Sequence, residues 1–500
     1  MKKEGSDHTM DMSEGDFGSM CRRIDDNDPD VLRVTLGEPG LTPIKAIQLG
    51  GCLEGNTVVD TLVIDFAFVK VFCGSIFSFV KFVEKSKSLR SVVLINAELT
   101  DLKICSALLV LLPGVAKNSG ISTFEMRSGQ TVYRNIFVAL WYAIMHALFG
   151  GSATISTLQT SVALSLSQCQ SLESLVLEYL PESFNCQILP ELGQFHSLTS
   201  LMFVPRDYSL ETLDAMTSLV RSSMSLETLQ LEGFQFNSSN FTSLAEGLVE
   251  SMSVKDLTFS KCAFKSTSTQ MVQDVATTMK KVTIGPDVKF SRSTSAVLVD
   301  IVSQTEDSTL KKLDLSSCPL QGKHLTRFLT GIEESTSSTL ESLSLPSASK
   351  PSDLNAIKDA VSSMPSLKEM NIANLDVEPH QQKELVAALK ENLGLISCNF
   401  NGEEIILNRP KEKSFSFKVP NNGRSRRRSK NLRKTLSAKE IHEINAKDEY
   451  LQRQNSLKEQ QGAPSDSDES NAMSHREKMM ETMQRHRLSD RVLDVLNDSN

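Results

Sequence analysis

Histidine and cysteine are the side chains best suited to holding a metal, attacking a carbonyl or moving a proton, and this chain of 500 residues has eight of one and nine of the other. Their spacing supports none of that chemistry. His8, His146, His196, His324, His380, His442, His475 and His486 are scattered, with no pair at the interval that would bring two onto one ion. The cysteines include no CxxC pair. A phosphate-cradling GxxxxGKS/T loop, a GxGxxG turn after a strand, an HExxH pair and a GxSxG elbow are all missing from the sequence. No residue is therefore singled out as catalytic or metal-ligating, and neither an enzyme nor a cofactor is expected.

The chemistry left is recognition. Net charge is −8, unevenly placed: residues 1–30 hold four Lys/Arg against nine Asp/Glu, residues 409–434 eleven against one, and residues 435–500 nine against thirteen. In the basic block Arg424, Arg426, Arg427, Arg428, Lys430, Arg433 and Lys434 crowd together. Such a cluster reads as a nuclear-import signal for an importin, or as a clamp on another polyanion. Nucleic acid is not the expected partner, because only Phe415 and Phe417 offer rings for stacking. Ser429, Ser437 and Ser456 lie where a phosphate would cancel part of the charge.

The elements that would present a binding surface come from a repeat. Leu310, Leu313, Leu315, Cys318 and Leu320 give the spacing LxxLxLxxCxL. Anchors of the form LxxLxL recur at Val59, Leu89, Ile121, Leu172, Leu198, Leu226, Val254, Met279, Leu310, Leu340, Leu367 and Leu395. From Leu172 onward the steps are 26, 28, 28, 25, 31, 30, 27 and 28 residues. This pattern resembles a leucine-rich repeat, and the repeat length with its cysteine is similar to the ribonuclease-inhibitor-like class. The resemblance implies an α/β solenoid, a horseshoe with a parallel concave sheet and convex helices, whose open face binds another protein.

The period-2 alternation of a strand sends the anchors to the core and the intervening residues to the open face. In later repeats that face reads as mixed charge: Glu227, Thr228, Gln230 and Glu232, then Lys255, Asp256, Thr258 and Lys261, then Lys311, Lys312, Asp314 and Ser316, then Lys368, Glu369, Asn371 and Asn374. Earlier repeats place Val63, Asp65, Phe66, Val93, Ile95, Val176, Glu178, Tyr179, Met202 and Val204 there. Apolar and aromatic anchors in a depression are where binding energy concentrates, so these ten are the candidate partner-binding residues.

Between strands, Phe241-Leu244-Leu248, Leu325-Phe328-Ile332, Leu354-Ile357-Val361 and Leu385-Leu389 have helical spacing, with Asn240 and Asp353 as candidate caps. An aromatic content of 6% suits an aliphatic core. The expected organisation is a disordered acidic arm (1–30), a repeat domain (31–408, irregular at 127–171), a basic linker (409–434) and a mostly disordered tail (435–500) with a short helix at 476–496. Val34 and Leu36, then Ile44, Ile47, Leu49 and Cys52, read as a cap and a first strand.

The irregular stretch spans 51 residues between anchors, about two repeats, and holds Ile136-Phe-Val-Ala-Leu-Trp-Tyr-Ala-Ile-Met-His-Ala-Leu-Phe149. That apolar run falls short of the roughly 20 residues a membrane span needs, so a buried helix or helical hairpin is expected. Cys52, Cys262 and Cys318 share a repeat position and read as small buried hydrophobes. The opening residues Met1-Lys-Lys-Glu-Gly-Ser-Asp lack an apolar core like that of a secretory leader, so a reducing compartment, cytoplasmic or nuclear, is expected. The functional expectation is a non-catalytic protein-binding scaffold. Two alternatives come with the resemblance: a GTPase-activating solenoid of the Ran-GAP-like type, and a substrate receptor of a ubiquitin ligase.

Overall fold

A computed structural model describes residues 14–36, 42–69, 76–129, 152–207, 209–303, 308–334 and 339–407, all of which belong to one unit, Met1–Pro410. The basic cluster, the tail helix and the apolar run at 136–149 lie outside the described residues.

Each anchor triplet forms a strand. Among the described residues the seventeen strands are, in chain order, β1 (Arg33–Leu36), β2 (Thr61–Asp65), β3 (Ser91–Ile95), β4 (Thr123–Arg127), β5 (Ser174–Leu180) and β6 (Ser200–Pro205). Next come β7 (Thr228–Glu232), β8 (Gln235–Phe236), β9 (Asp256–Ser260), β10 (Ala263–Phe264), β11 (Lys281–Ile284) and β12 (Lys289–Phe290). The last are β13 (Lys312–Asp314), β14 (Ser342–Ala348), β15 (Glu369–Leu375), β16 (Ser397–Phe400) and β17 (Glu403–Ile406). One 14-stranded sheet takes β1 to β7, β9, β11 and β13 to β17 in sequence order, parallel throughout except for antiparallel β17. Helices such as Ser152–Leu166, Leu210–Ser222 and Ser238–Glu250 return the chain between strands. The fold is an α/β leucine-rich-repeat solenoid.

Register follows from the core. Leu175, Leu201, Leu229, Leu257, Val282, Leu313, Leu343, Met370 and Cys398 pair strand to strand, and all are buried. A one-residue slip would carry this whole column to the solvent face. A second ladder reinforces it: hydroxyls placed just before the anchors donate to a main-chain carbonyl of the preceding repeat. Ser88 donates to Val59 (2.8 Å), Ser225 to Leu198 (2.9 Å), Thr309 to Met279 (3.1 Å) and Thr339 to Leu310 (3.0 Å). Each such bond contributes about 1 kcal/mol.

The core is not purely aliphatic. β8, β10 and β12 form a separate three-stranded parallel sheet that carries Phe236, Phe264 and Phe290 in a stack with centroids 5.0 and 5.3 Å apart. Phe234 and Phe241 close on Phe236 at 5.1 and 4.5 Å. The caps also sit three residues earlier than expected. Asn237 accepts from the amides of Ser239 and Asn240, while Asn240 reaches back to the Asn237 amide at 2.6 Å. Asp353 likewise accepts from the Lys350 amide (3.3 Å), so both are first-turn partners rather than cap residues.

Three further expectations are corrected. Part of the acidic arm is a helix, Glu14–Asp25, whose Phe17, Met20 and Ile24 are buried and whose last turn is held by Asn56 Nδ2 donating to the Ile24 carbonyl at 2.6 Å. Residues 43–54 form a helix, not a strand; Ile44 and Ile47 face solvent. Cys52 is therefore helical and half-buried beside Cys21, unlike buried Cys262 and Cys318, and burial pushes its thiol up to about 12. The long step between repeats adds no strand to the sheet, because β4 pairs β5 directly, Thr123 with Ser174 through Arg127 with Glu178. At the far end Asn401 and Gly402, both at positive φ (53° and 86°), make the tight turn that folds β17 back onto β16.

Candidate functional site: the open face of the sheet

The alternation that buries the anchors lines up one central row on the other face. It runs Val63, Val93, Glu125, Val176, Met202, Gln230, Thr258, Thr283, Asp314, Ser344, Asn371 and Asn399, each in register with the next. The apolar members fall in the first half. Val176 and Met202 are neighbours in register; both are half-exposed, and so are Ile95 and Tyr179.

Four candidates are corrected. Phe66 is 1% exposed and opens the short helix Phe66–Val69, where the chain has already turned off the strand into the core. Val204 is 2% exposed at the end of β6, where the pattern runs to three buried residues in succession. Val63 and Val93 have open-face parity but are 1% and 7% exposed, packed side by side between Thr35 and Glu125. The contact-ready set narrows to Ile95, Val176, Tyr179 and Met202, with Asp65 and Glu178 half-buried beside them.

Around the apolar pair, the strand ends form a charged rim. Arg127 reaches Glu125 at 2.8 Å and Glu178 at 3.4 Å; Lys261 reaches Glu232 at 2.6 Å; Arg206 reaches Glu98 at 3.4 Å. Ser128 donates to Glu98 (2.7 Å) and Asn96 to Asp65 (2.7 Å). Burial pushes the Glu178 carboxyl above the usual range, with Arg127 pulling the other way and Glu232 and Glu125 adding to the rise. Asn96, Lys261 and Gly233 sit just past their strands at positive φ (55°, 50° and 79°), and Tyr179 (55°) sits inside β5 at the register shift between Glu178 and Leu180. Asn and Gly suit that region; a tyrosine there is strained. It lies at the same rim as Lys261, whose ammonium Glu232 holds charged through a hydrogen bond and its carboxylate.

On the opposite strand ends Glu341 takes Lys311 at 2.6 Å and Lys368 at 2.5 Å, which holds its carboxyl down to about 2. On the helical side a depression of about 730 Å³ is lined by Asp300, Lys323, Arg327, Thr330, Glu334 and Lys350, of mixed charge. Among the described residues no group of three His, Cys, Asp or Glu is placed to hold a metal, and no helix is long and apolar enough to cross a membrane.

No protein-family profile matches the chain, and no curated protein does. Solved structures with some likeness include the actin-binding site 2 of leiomodin-1, 12% identical over 41% of this chain and 86% of that one, with a TM-score of 0.22. A Bacteroides fragilis protein is 13% identical over 48% and 69%, at 0.31. A Leptospira interrogans leucine-rich-repeat protein is 11% identical over 74% and 96%, at 0.24. At such identities and TM-scores these likenesses say nothing about function, and the fold rests on the chain's own register.

Proposed function

We propose that this chain is a non-catalytic scaffold of the ribonuclease-inhibitor-like class, which binds a protein partner on the open face of β3 to β6. One observation carries the reading: Val176 and Met202 stand side by side, half-exposed, inside a rim of paired charges. An apolar centre ringed by polar groups is the anatomy of a binding hot spot. Tyr179 adds a ring at its border. The repeat domain then extends from Glu14 to Leu407, with the basic cluster at 424–434 serving import by an importin and placing the protein in cytoplasm and nucleus. No particular observation favours the GTPase-activating or ubiquitin-ligase readings.

Affinity capture with the full chain and its Val176→Asp/Met202→Asp form tests this. The expected result is a partner retained by the first and lost by the second at unchanged melting temperature. An identical set of captured proteins from both forms contradicts it.

A further inference from the structure

The strands of the second half begin on a line of lysines. The Lys255 carbonyl accepts the amides of Lys280 (2.8 Å) and Lys281 (3.1 Å), and the Lys280 carbonyl those of Lys311 (2.9 Å) and Lys312 (3.0 Å). The Lys311 carbonyl takes Glu341 (2.7 Å), and Glu341 takes Lys368 (2.8 Å). These staples stack Lys255, Lys280, Lys311, Glu341 and Lys368 in one row. Beside it, register makes a second row of Asp256, Lys281, Lys312, Ser342 and Glu369. Neighbouring strands lie about 4.8 Å apart, so within both rows the side chains start within contact range.

The first row finds opposite charges at its two ends. Lys255 pairs with Glu227 at 2.9 Å, and Glu341 serves both Lys311 and Lys368. The exception is a two-by-two block of Lys280, Lys281, Lys311 and Lys312, in which Lys281 and Lys312 are directly opposed. Among the described residues Lys280, Lys281 and Lys312 make no ion pair, and all but half-exposed Lys281 are exposed. Like charges directly opposite one another across strands destabilise a sheet. Lys281 and Lys312, directly opposed and in no ion pair among the described residues, therefore cost the fold something, and a bound anion would offset it.

We propose that this block docks an acidic polypeptide segment of a partner. Its extent argues for a peptide. In the second row it is two strands wide, flanked by Asp256 on β9 and Ser342 on β14, with Asp314 next along β13 and Glu369 one strand beyond Ser342, and these carboxylates would repel a phosphate backbone running on along the sheet. The open-face positions of β9, β11 and β13 hold Asp256, Thr258, Lys281, Thr283, Lys312 and Asp314, and none offers a ring on which a base would stack. The block is separate from the apolar centre at Val176 and Met202, so either site stands if the other fails.

The test is fluorescence anisotropy with the full chain and a labelled peptide alternating Glu and Ser. Three forms are compared: the unaltered chain, Lys280→Gln/Lys281→Gln/Lys311→Gln/Lys312→Gln, and Arg426→Ala/Arg427→Ala/Arg428→Ala in the basic cluster. The expected result is affinity about tenfold or more weaker in the lysine variant alone, at a melting temperature no lower than that of the unaltered chain. Unchanged peptide affinity in the lysine variant overturns the proposal. So does a loss seen only in the arginine variant, or tighter binding of a single-stranded oligonucleotide of equal charge through the same lysines.

Discussion

In the row that crosses the open face, Val93, Val176 and Met202 occupy the positions that Thr258, Thr283, Ser344 and Asn371 occupy farther along. The backbone is the same in both halves, with the same anchors beneath and the same pairing to the next strand. Surface chemistry differs: the first half carries an apolar centre with a rim of paired charges, the second a polar row with an edge of lysines. Core and face residues alternate along one strand, so a repeat can change what it presents without changing what it buries. The halves differ underneath as well. The stacked phenylalanines of β8, β10 and β12 lie in the middle of the array, whereas the first repeats bury Phe79, Phe82 and Phe124 among Leu62, Ile64, Val92 and Leu94.

The largest effect should come from breaking that stack. Phe264→Ala empties the site between Phe236 and Phe290 and is expected to cost about 3–5 kcal/mol, read from denaturant unfolding. A cost under about 1 kcal/mol would mean that the rings are peripheral and that the two halves share one kind of core. A smaller effect concerns the lysine edge. With its carboxyl held down to about 2, Glu341 contributes stability that is present above the unfolded carboxylate value of about 4.3 and is lost as pH falls toward 2. Acid lowers the melting temperature through many carboxylates, so the informative quantity is a difference. Glu341→Gln should narrow the gap in melting temperature between pH 5 and pH 2.5. An equal gap in both proteins would show that the two lysines leave no mark on folding.

The strands were legible because their anchors repeat: every LxxLxL triplet from Val59 to Leu395 became a strand of the large sheet. What stayed hidden has physical causes. The helix Glu14–Asp25 carries Phe17, Met20 and Ile24 on one face, but its acidic composition masks the period. Phe66 and Val204 sit where strands end and the chain turns, so alternation stops predicting their side. The hydroxyl ladder did leave a signal in the Ser or Thr before Leu89, Leu226, Leu310 and Leu340, though its acceptors lie one repeat away. Partners such as Arg127 with Glu178, or Lys311 with Glu341, meet only once repeats stack. The ion-paired rim could therefore not be read from any single repeat.

The most direct test of the account compares two adjacent residues of β6. Met202 lies on the open face and Phe203, fully buried, points to the core. Thermal melting of Met202→Asp and Phe203→Asp should separate them completely: the first melts with the unaltered protein, while the second, with an unpaired charge driven into the core, loses its cooperative transition. Equal losses from both, or a loss from Met202→Asp alone, would place the wrong face outward and remove the basis for the binding site.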